Sequence, residues 1–333
     1  MKFSHRKKIL TFPLARTLRT LAKRIRLKRH GNISLYRFFN IFFFNIQDDE
    51  IMDRANGVSY NLILAIFPAV IFLFTLIPYI TVYFPEINRE SIMQFMGEMM
   101  PTSMYDVASS TVLDIISNQR GGLLTFGFLF ALFLATNGML ALMRAFNACY
   151  KTVDKRNIWR MRLTATGLTL MLAMVLFLAI VLLVVGQIVI NYFTAHLQDL
   201  SRLNLSSFTI YSLLALRFAV IFVVFFFTIS FIYYFGPAVH YNWKFFSVGS
   251  WVATLGCLGI SYGFSYYVTN FGSYNKVYGS IGALIALMIW IQLLTLVLLF
   301  GYEINASLHY GTKMQEIEKY SKKKTKREIT SNR

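Results

Sequence analysis

The sequence predicts an all-α integral membrane protein, a six-transmembrane-helix bundle with amphipathic interfacial helices. Three observations carry that reading. Of 333 residues, 56% are hydrophobic and only 14% are charged, whereas soluble domains are about a quarter charged. Six segments reach the roughly 20 apolar residues that a spanning helix needs. Lys and Arg, 33 against 15 acidic residues, are gathered into a few blocks, the pattern of basic loops at one membrane face. That clustering, rather than the net charge of +18, decides against nucleic acid as a partner.

Residues 1–55 form a basic N-terminal region with 13 Lys/Arg. Its one early apolar stretch, ILTFPLA, is short and followed by Arg16 and further basic residues, so a cleaved signal peptide is not expected. Within the region, LYRFFNIFFFNI puts Leu35, Phe38, Phe39, Phe42, Phe43 and Ile46 on one helical stripe, which reads as a helix lying on the cytoplasmic leaflet. The transmembrane domain, 56–306, holds spans at about 57–84, 121–143, 163–193, 207–235, 245–270 and 279–306. Pro68 and Pro78 lie in the first, which is expected to bend or break there, because proline removes a backbone donor. The third is longer than a bilayer requires and is expected to tilt or to project beyond the lipid. Between the first two spans, loop 85–120 is acidic and carries two more amphipathic stretches separated by Pro101. Residues 307–333 read as a basic, disordered tail containing KKKTKR at 322–327.

Orientation follows from the positive-inside rule. Segments 1–55, 144–162, 236–244 and 307–333 hold 28 of the 33 basic residues, and six crossings bring all four to one side. Both termini are therefore expected in the cytoplasm. The opposite side receives Arg89, Arg120, Arg202 and Lys276, and Arg217 falls inside a span.

Charges within spans are expensive and are functional candidates by default. Arg217 is roughly 15 Å into the fourth span, close to the midplane. It reads equally as a substrate contact or a structural anchor. Glu303 lies on the order of 36 Å along the last span, near its cytoplasmic boundary. It reads either as a register-pinning carboxylate or as a gating group. At that depth Arg144 and Arg54 are the expected ion-pair partners. Asn137, Asn147 and Gln187 suit hydrogen bonds between helices better than ligands. Pro237 ends the fourth span. Gly259 and Gly263, four apart, suit close helix packing, as do Gly249 and Ala253. Gly279 and Gly282 lie at the outer end of the last span, where packing is again the plainer reading.

Several motifs together resemble the YihY/BrkB family of bacterial inner-membrane proteins. They are NGVSYNLILAIFP in the first span, MLALMRAFNACY at the end of the second and IYYFGPAVHYNW at the end of the fourth. Most specific are YGSIGA at 278–283 and, after an apolar run with Trp290, GYEINA at 301–306. The likeness covers about residues 30–310, and Tyr302 stands where the family has Ala. The resemblance implies a six-span inner-membrane protein associated with envelope integrity and with transport of a lipid or other amphiphile.

Some members of the family have carried a ribonuclease label. A metal-dependent nuclease needs clustered His and Asp ligands. His5, His30, His196, His240 and His309 are isolated and fall on different sides of the expected membrane. Cys149 and Cys257 form neither a disulfide framework nor a metal motif, and no nucleophile elbow is visible. The chain reads as a non-enzyme without cofactor or metal. Its expected partners are membrane lipids, especially anionic headgroups at the cytoplasmic face, with a homo-oligomer also open. Three functions follow: transport or flipping of an anionic lipid, ion- or proton-coupled transport through Glu303, or a non-transporting scaffold. The first predicts an apolar lateral opening, the second a polar path to Glu303, and the third a filled bundle.

Overall fold

The computed structural model describes residues 20–27, 33–48, 50–80, 119–150, 154–197, 205–238, 245–270 and 280–331, with short pieces between 90 and 115. Side chains at 179–214, at Arg217, at a few helix ends and at most positions after 317 lie outside that description. Loop 85–120 and its two amphipathic stretches also fall largely outside it.

The fold begins with a feature the all-α expectation lacks, a two-residue antiparallel ribbon. In it, β1 (Arg26–Leu27) pairs with β2 (Ile33–Ser34). The helices are α1 (Leu35–Asp48), α2 (Ile51–Ile80), α3 (Gly121–Cys149), α4 (Ile158–Leu197), α5 (Leu205–Phe235), α6 (Val248–Asn270) and α7 (Ser280–Ser331). Each of α2 to α6 packs on its successor, and α7 returns to α2, so the helices close a ring. α7 also touches α3 and α1. Serine and threonine hydroxyls inside these helices donate to the carbonyl four residues back, as Ser59, Thr169, Thr254 and Thr295 do. Those bonds satisfy a polar group where lipid offers no partner.

Five helical stretches are long and apolar enough to cross a membrane: Ile51–Tyr79, Gly121–Cys149, Ile158–Leu178, Phe218–Phe235 and Leu284–Ile317. The stretch expected as the fifth span forms a helix, α6, but its glycines and hydroxyl side chains dilute its apolar content and it is not among the five, so the count of six is not reached by length and composition.

Two local expectations change. α2 starts earlier than expected and runs unbroken through Pro68 and Pro78, both buried. Its close packing on α3 outweighs the loss of single backbone donors. The segment expected to be a disordered tail instead continues α7 as helix to Ser331. Its first turns are buried, with Ser307, Leu308 and Gly311 covered by neighbouring elements, and the Glu318–Lys322 spacing beyond them favours helix.

The buried core is concentrated at one end. It joins the start of α2 (Ile51, Ala55, Val58), the end of α3 (Met143, Phe146) and residues 299–306 of α7. Alternating helix direction brings these segments to the end that carries the Lys/Arg blocks, called the basic end below.

Candidate functional site

The last helix supplies the knot of the basic end, and GYEINA explains itself residue by residue. Gly301 is where α6 and α5 press on α7. A Cβ there would lie 2.6 Å from the Ala253 methyl and from the Tyr233 hydroxyl. Facing it, a Cβ on Gly249 would meet the Gly301 carbonyl oxygen at 2.0 Å. Only glycine fits both positions. The Tyr233 hydroxyl donates to the Leu298 carbonyl at 2.6 Å, tying α5 to α7. The Tyr302 ring stacks on Phe146 with centroids 4.2 Å apart and meets Tyr233 edge-on. Tyr302 thus fills the core of the basic end.

Glu303 is 0% exposed. Its Oε1 accepts hydrogen bonds from Asn45 Nδ2 at 2.7 Å and from Ser307 Oγ at 2.9 Å. Among the described residues no salt bridge joins Glu303 to Arg144, which is exposed, or to Arg54. The reason is α1, which covers α7 at this level. Ile33 and Ile41 pack over Gly311, where a Cβ would come within 2.9 Å of Ile33 Cδ1. Asn45 is carried in beside them. Two residues on, Asn305 faces α6 instead. Its Oδ1 accepts from the Gly249 N–H at 2.8 Å and its Nδ2 donates to Ser247 Oγ at 2.8 Å. Ser247 Oγ in turn accepts from Ser250 N–H, so Asn305 completes the cap of α6.

A second polar clasp closes the same end. Asn147, at the end of α3, accepts from Ala238 N–H at 2.7 Å and donates to Asp154 Oδ2 at 3.1 Å. Arg156 grips Asp154 through Nε and Nη2 and also donates to the Gly236 carbonyl at 2.9 Å. Pro237 is buried within this clasp. Burial opposes ionisation of Asp154, but hydrogen bonds from the Arg156 guanidinium and N–H outweigh it and hold the carboxyl below its usual range. Asn137 bridges helices, accepting from Arg162 Nη2 at 2.9 Å, while the same guanidinium lies over the Phe133 ring.

The opposite half of the α6–α7 pair is built differently. Gly256 still meets Val297 closely, but a Cβ on Gly259 or Gly263 would meet nothing within 4 Å among the described residues. The expectation that these two glycines pack helices is corrected, since no described side chain of the facing helix reaches them. Between them lies an apolar cavity of about 580 Å³, walled by Gly259, Gly263 and Phe264 of α6 and by Ala286, Ile289 and Leu293 of α7. One polar bridge crosses nearby, from Trp290 Nε1 to Ser261 Oγ at 3.3 Å.

Arg217 belongs to α5, but its side chain is outside the described residues, as are Gly279 and the side chain of Gln187. Register still gives its level. Phe226 of α5 meets Trp251 of α6 at 4.6 Å, and α5 and α6 run antiparallel. Nine residues further along each, Arg217 is level with Ile260, which also lines the cavity. Gly282 is buried at the start of α7.

Reading the sequence alone missed Asn45, Asp154, Arg156, Tyr233 and Ser307 as parts of these sites. Asn45 had a signal: it is the lone amide seven residues after Phe38, on the packed face of a phenylalanine-rich helix. Ser307 also had one, four residues after Glu303 on the same helix face, and Asp154 and Arg156 are near neighbours of Asn147, whereas Tyr233 reaches Leu298 and Arg156 reaches Gly236 only through the fold.

Comparison with known proteins places these features in a family. The family model described as virulence factor BrkB matches residues 42–328. The ribonuclease-like protein YfkH of Bacillus subtilis is 32% identical over 271 residues, covering 81% of this chain and 94% of that one. UPF0761 membrane proteins of Mannheimia succiniciproducens (MS0032) and Haemophilus influenzae (NTHI0384) are 23% and 22% identical. Their alignments cover 85% and 83% of this chain and 93% and 96% of theirs. No solved structure matches. A membrane-embedded helical bundle whose GYEINA turn locks three neighbouring helices, matched by the family model over most of its length, belongs to the BrkB family.

Proposed function

We propose that this protein crosses the bacterial inner membrane six times, with α6 as the fifth crossing and both termini in the cytoplasm. There it binds an anionic lipid or other amphiphile and moves it between leaflets for envelope maintenance. The observation that carries this reading is the α6–α7 separation: an apolar cavity at the level of Arg217, above an end sealed by GYEINA. An opening between spanning helices admits a lipid sideways while its chains stay in hydrocarbon. Arg217, an uncompensated charge in the sequence of its span, would attract an anionic headgroup. The basic end would adhere to anionic lipids at about 1 kcal/mol per Lys or Arg near the surface. The exposed rings of Phe39, Phe43 and Phe44 on α1 suit the same leaflet.

Glu303 supports the ion-coupled alternative poorly, because its carboxylate is enclosed by Asn45, Ser307 and the aromatic cluster around Tyr302. A completely filled bundle, as a scaffold requires, does not fit the cavity. Reconstitution in liposomes with a labelled anionic lipid tests the proposal. Wild-type protein should speed leaflet exchange, and Arg217→Ala should slow it at equal abundance. Exchange no faster than in protein-free vesicles would refute the transport reading.

A further inference from the structure

We infer that the cavity between α6 and α7 is a binding site for the hydrocarbon tail of a membrane lipid, not for its headgroup or for a polar solute. The inference deepens the proposal above and rests on its membrane placement, but it does not require that transport occur. Four observations carry it.

The first is the chemistry of the walls. α6 carries no charged residue from Val248 to Asn270, and α7 carries none from Ser280 to Tyr302. The lining is glycine backbone, aliphatic side chains and aromatic rings, so a polar ligand would lose its hydration without recovering hydrogen bonds. The second is size. At about 580 Å³ the cavity falls within the roughly 300–1,000 Å³ range of ligand pockets. Taking about 30 Å³ for a water-sized unit, a volume close to that of a methylene, it holds roughly twenty such units.

The third is shape. Gly259, Gly263 and Tyr267 follow one another at intervals of four along α6, so the wall extends on the order of 12 Å along the helix. A trough running with the helix axis matches an aligned acyl chain. The fourth is access. Tyr262 and Tyr266 on α6 and Leu284 and Met288 on α7 are exposed large apolar residues beside the cavity. Its surroundings therefore continue the lipid-facing belt, where acyl chains are the abundant molecules.

The test uses the full chain in nanodiscs containing phosphatidylglycerol that carries a diazirine either on its tail or on its headgroup. After photolysis, adducts are mapped by peptide mass spectrometry. Tail label should accumulate on 259–267 and 286–293 at least fivefold above the lipid-exposed turn of α4 around Met174 and Phe177. Headgroup label should not accumulate there.

Gly263→Phe should fill the trough without a first-contact clash, because nothing lies within 4 Å of its Cβ. It should cut tail labelling at 286–293 by at least fivefold with the melting temperature unchanged, and Gly259→Leu provides the same readout if that variant folds poorly. Tail labelling no higher than on α4, or unaffected by either variant, would overturn the inference. So would headgroup label concentrated in the trough, or crosslinks from α6 to α7 of a second, isotopically marked copy. Leaflet exchange measured on the same protein separates the two proposals. Tail labelling without exchange would sink transport and leave the tail site standing.

Discussion

Two antiparallel helix pairs in this molecule use glycine in opposite ways. Along α2–α3 three glycines of α3, spread over its length, face filled positions on α2. Gly138 meets Leu62, Gly127 meets the backbone of Phe72, and Gly121 meets the Tyr79 hydroxyl, with Phe72 and Phe128 in ring contact between them. Along α6–α7 the pairing is as tight at the basic end, Gly249 on Gly301 and Gly256 on Val297, and then stops. Gly259 and Gly263 continue the same spacing into open space. A small residue every fourth position permits close approach but does not compel it. What compels it is a complementary surface on the facing helix, which α7 provides at Gly301 and withdraws at Ile289.

The largest effects should come from the tight end. Gly249→Ala drives a methyl into the Gly301 carbonyl and Gly301→Ala drives one into Ala253, Tyr233 and the Gly249 carbonyl, and overpacking of that kind should destabilise by about 3 kcal/mol or more, with loss of folded protein in detergent melts. The carboxylate beside it comes next. Glu303→Leu strands the Asn45 amide and the Ser307 hydroxyl without their buried acceptor and should cost about 2–3 kcal/mol. Glu303→Gln keeps a carbonyl oxygen for both donors, so its melting temperature should fall much less. An equal fall in both variants would mean that charge rather than hydrogen bonding holds Asn45.

A matched glycine comparison is gentler. Gly138→Ala should destabilise by about 1 kcal/mol as the Leu62 side chain gives way. Gly263→Ala should be neutral or stabilising by up to about 1 kcal/mol, since it gains helix propensity and touches nothing. Equal losses would erase the distinction between the two pairs.

The smallest effect belongs to the Asp154 clasp, which is near the surface and so only partly shielded from solvent. Its folded pKa lies below the unfolded value of about 3.9. The clasp should therefore contribute fully above that value and weaken as pH falls through the lower folded pKa. Melting temperature should drop more steeply below pH 4 in wild type than in Asp154→Asn, and parallel curves would remove Asp154 from the stability of this end.

Hydropathy and charge made most of the bundle legible, because lipid allows few ways to bury a backbone and few places to leave a lysine. They located each helix that the structure contains in 121–270 to within several residues. They could not tell that α2 would run through its prolines, or that α7 would continue past Ala306, since both depend on what packs alongside. Glu303 was conspicuous as a carboxylate ending an uncharged run, yet its partner could not be guessed from charge. The donor is an amide on a helix 258 residues away, delivered by the packing of Ile33 and Ile41 on Gly311. The cavity was invisible for a related reason: Gly259 and Gly263 spell a packing motif, and only the position of α7 shows that nothing fills it.

Lipid access to the outer half of α6 tests the central claim most directly. With Cys149 and Cys257 replaced, a bimane label at Gly263→Cys is compared with labels at Phe177→Cys, on the lipid-facing surface, and Met143→Cys, which is 0% exposed. In nanodiscs of lipid brominated on its acyl chains, the label at position 263 should be quenched as strongly as that at 177. Quenching no greater than at position 143 would mean that α6 and α7 are closed along their whole length, and would contradict the account.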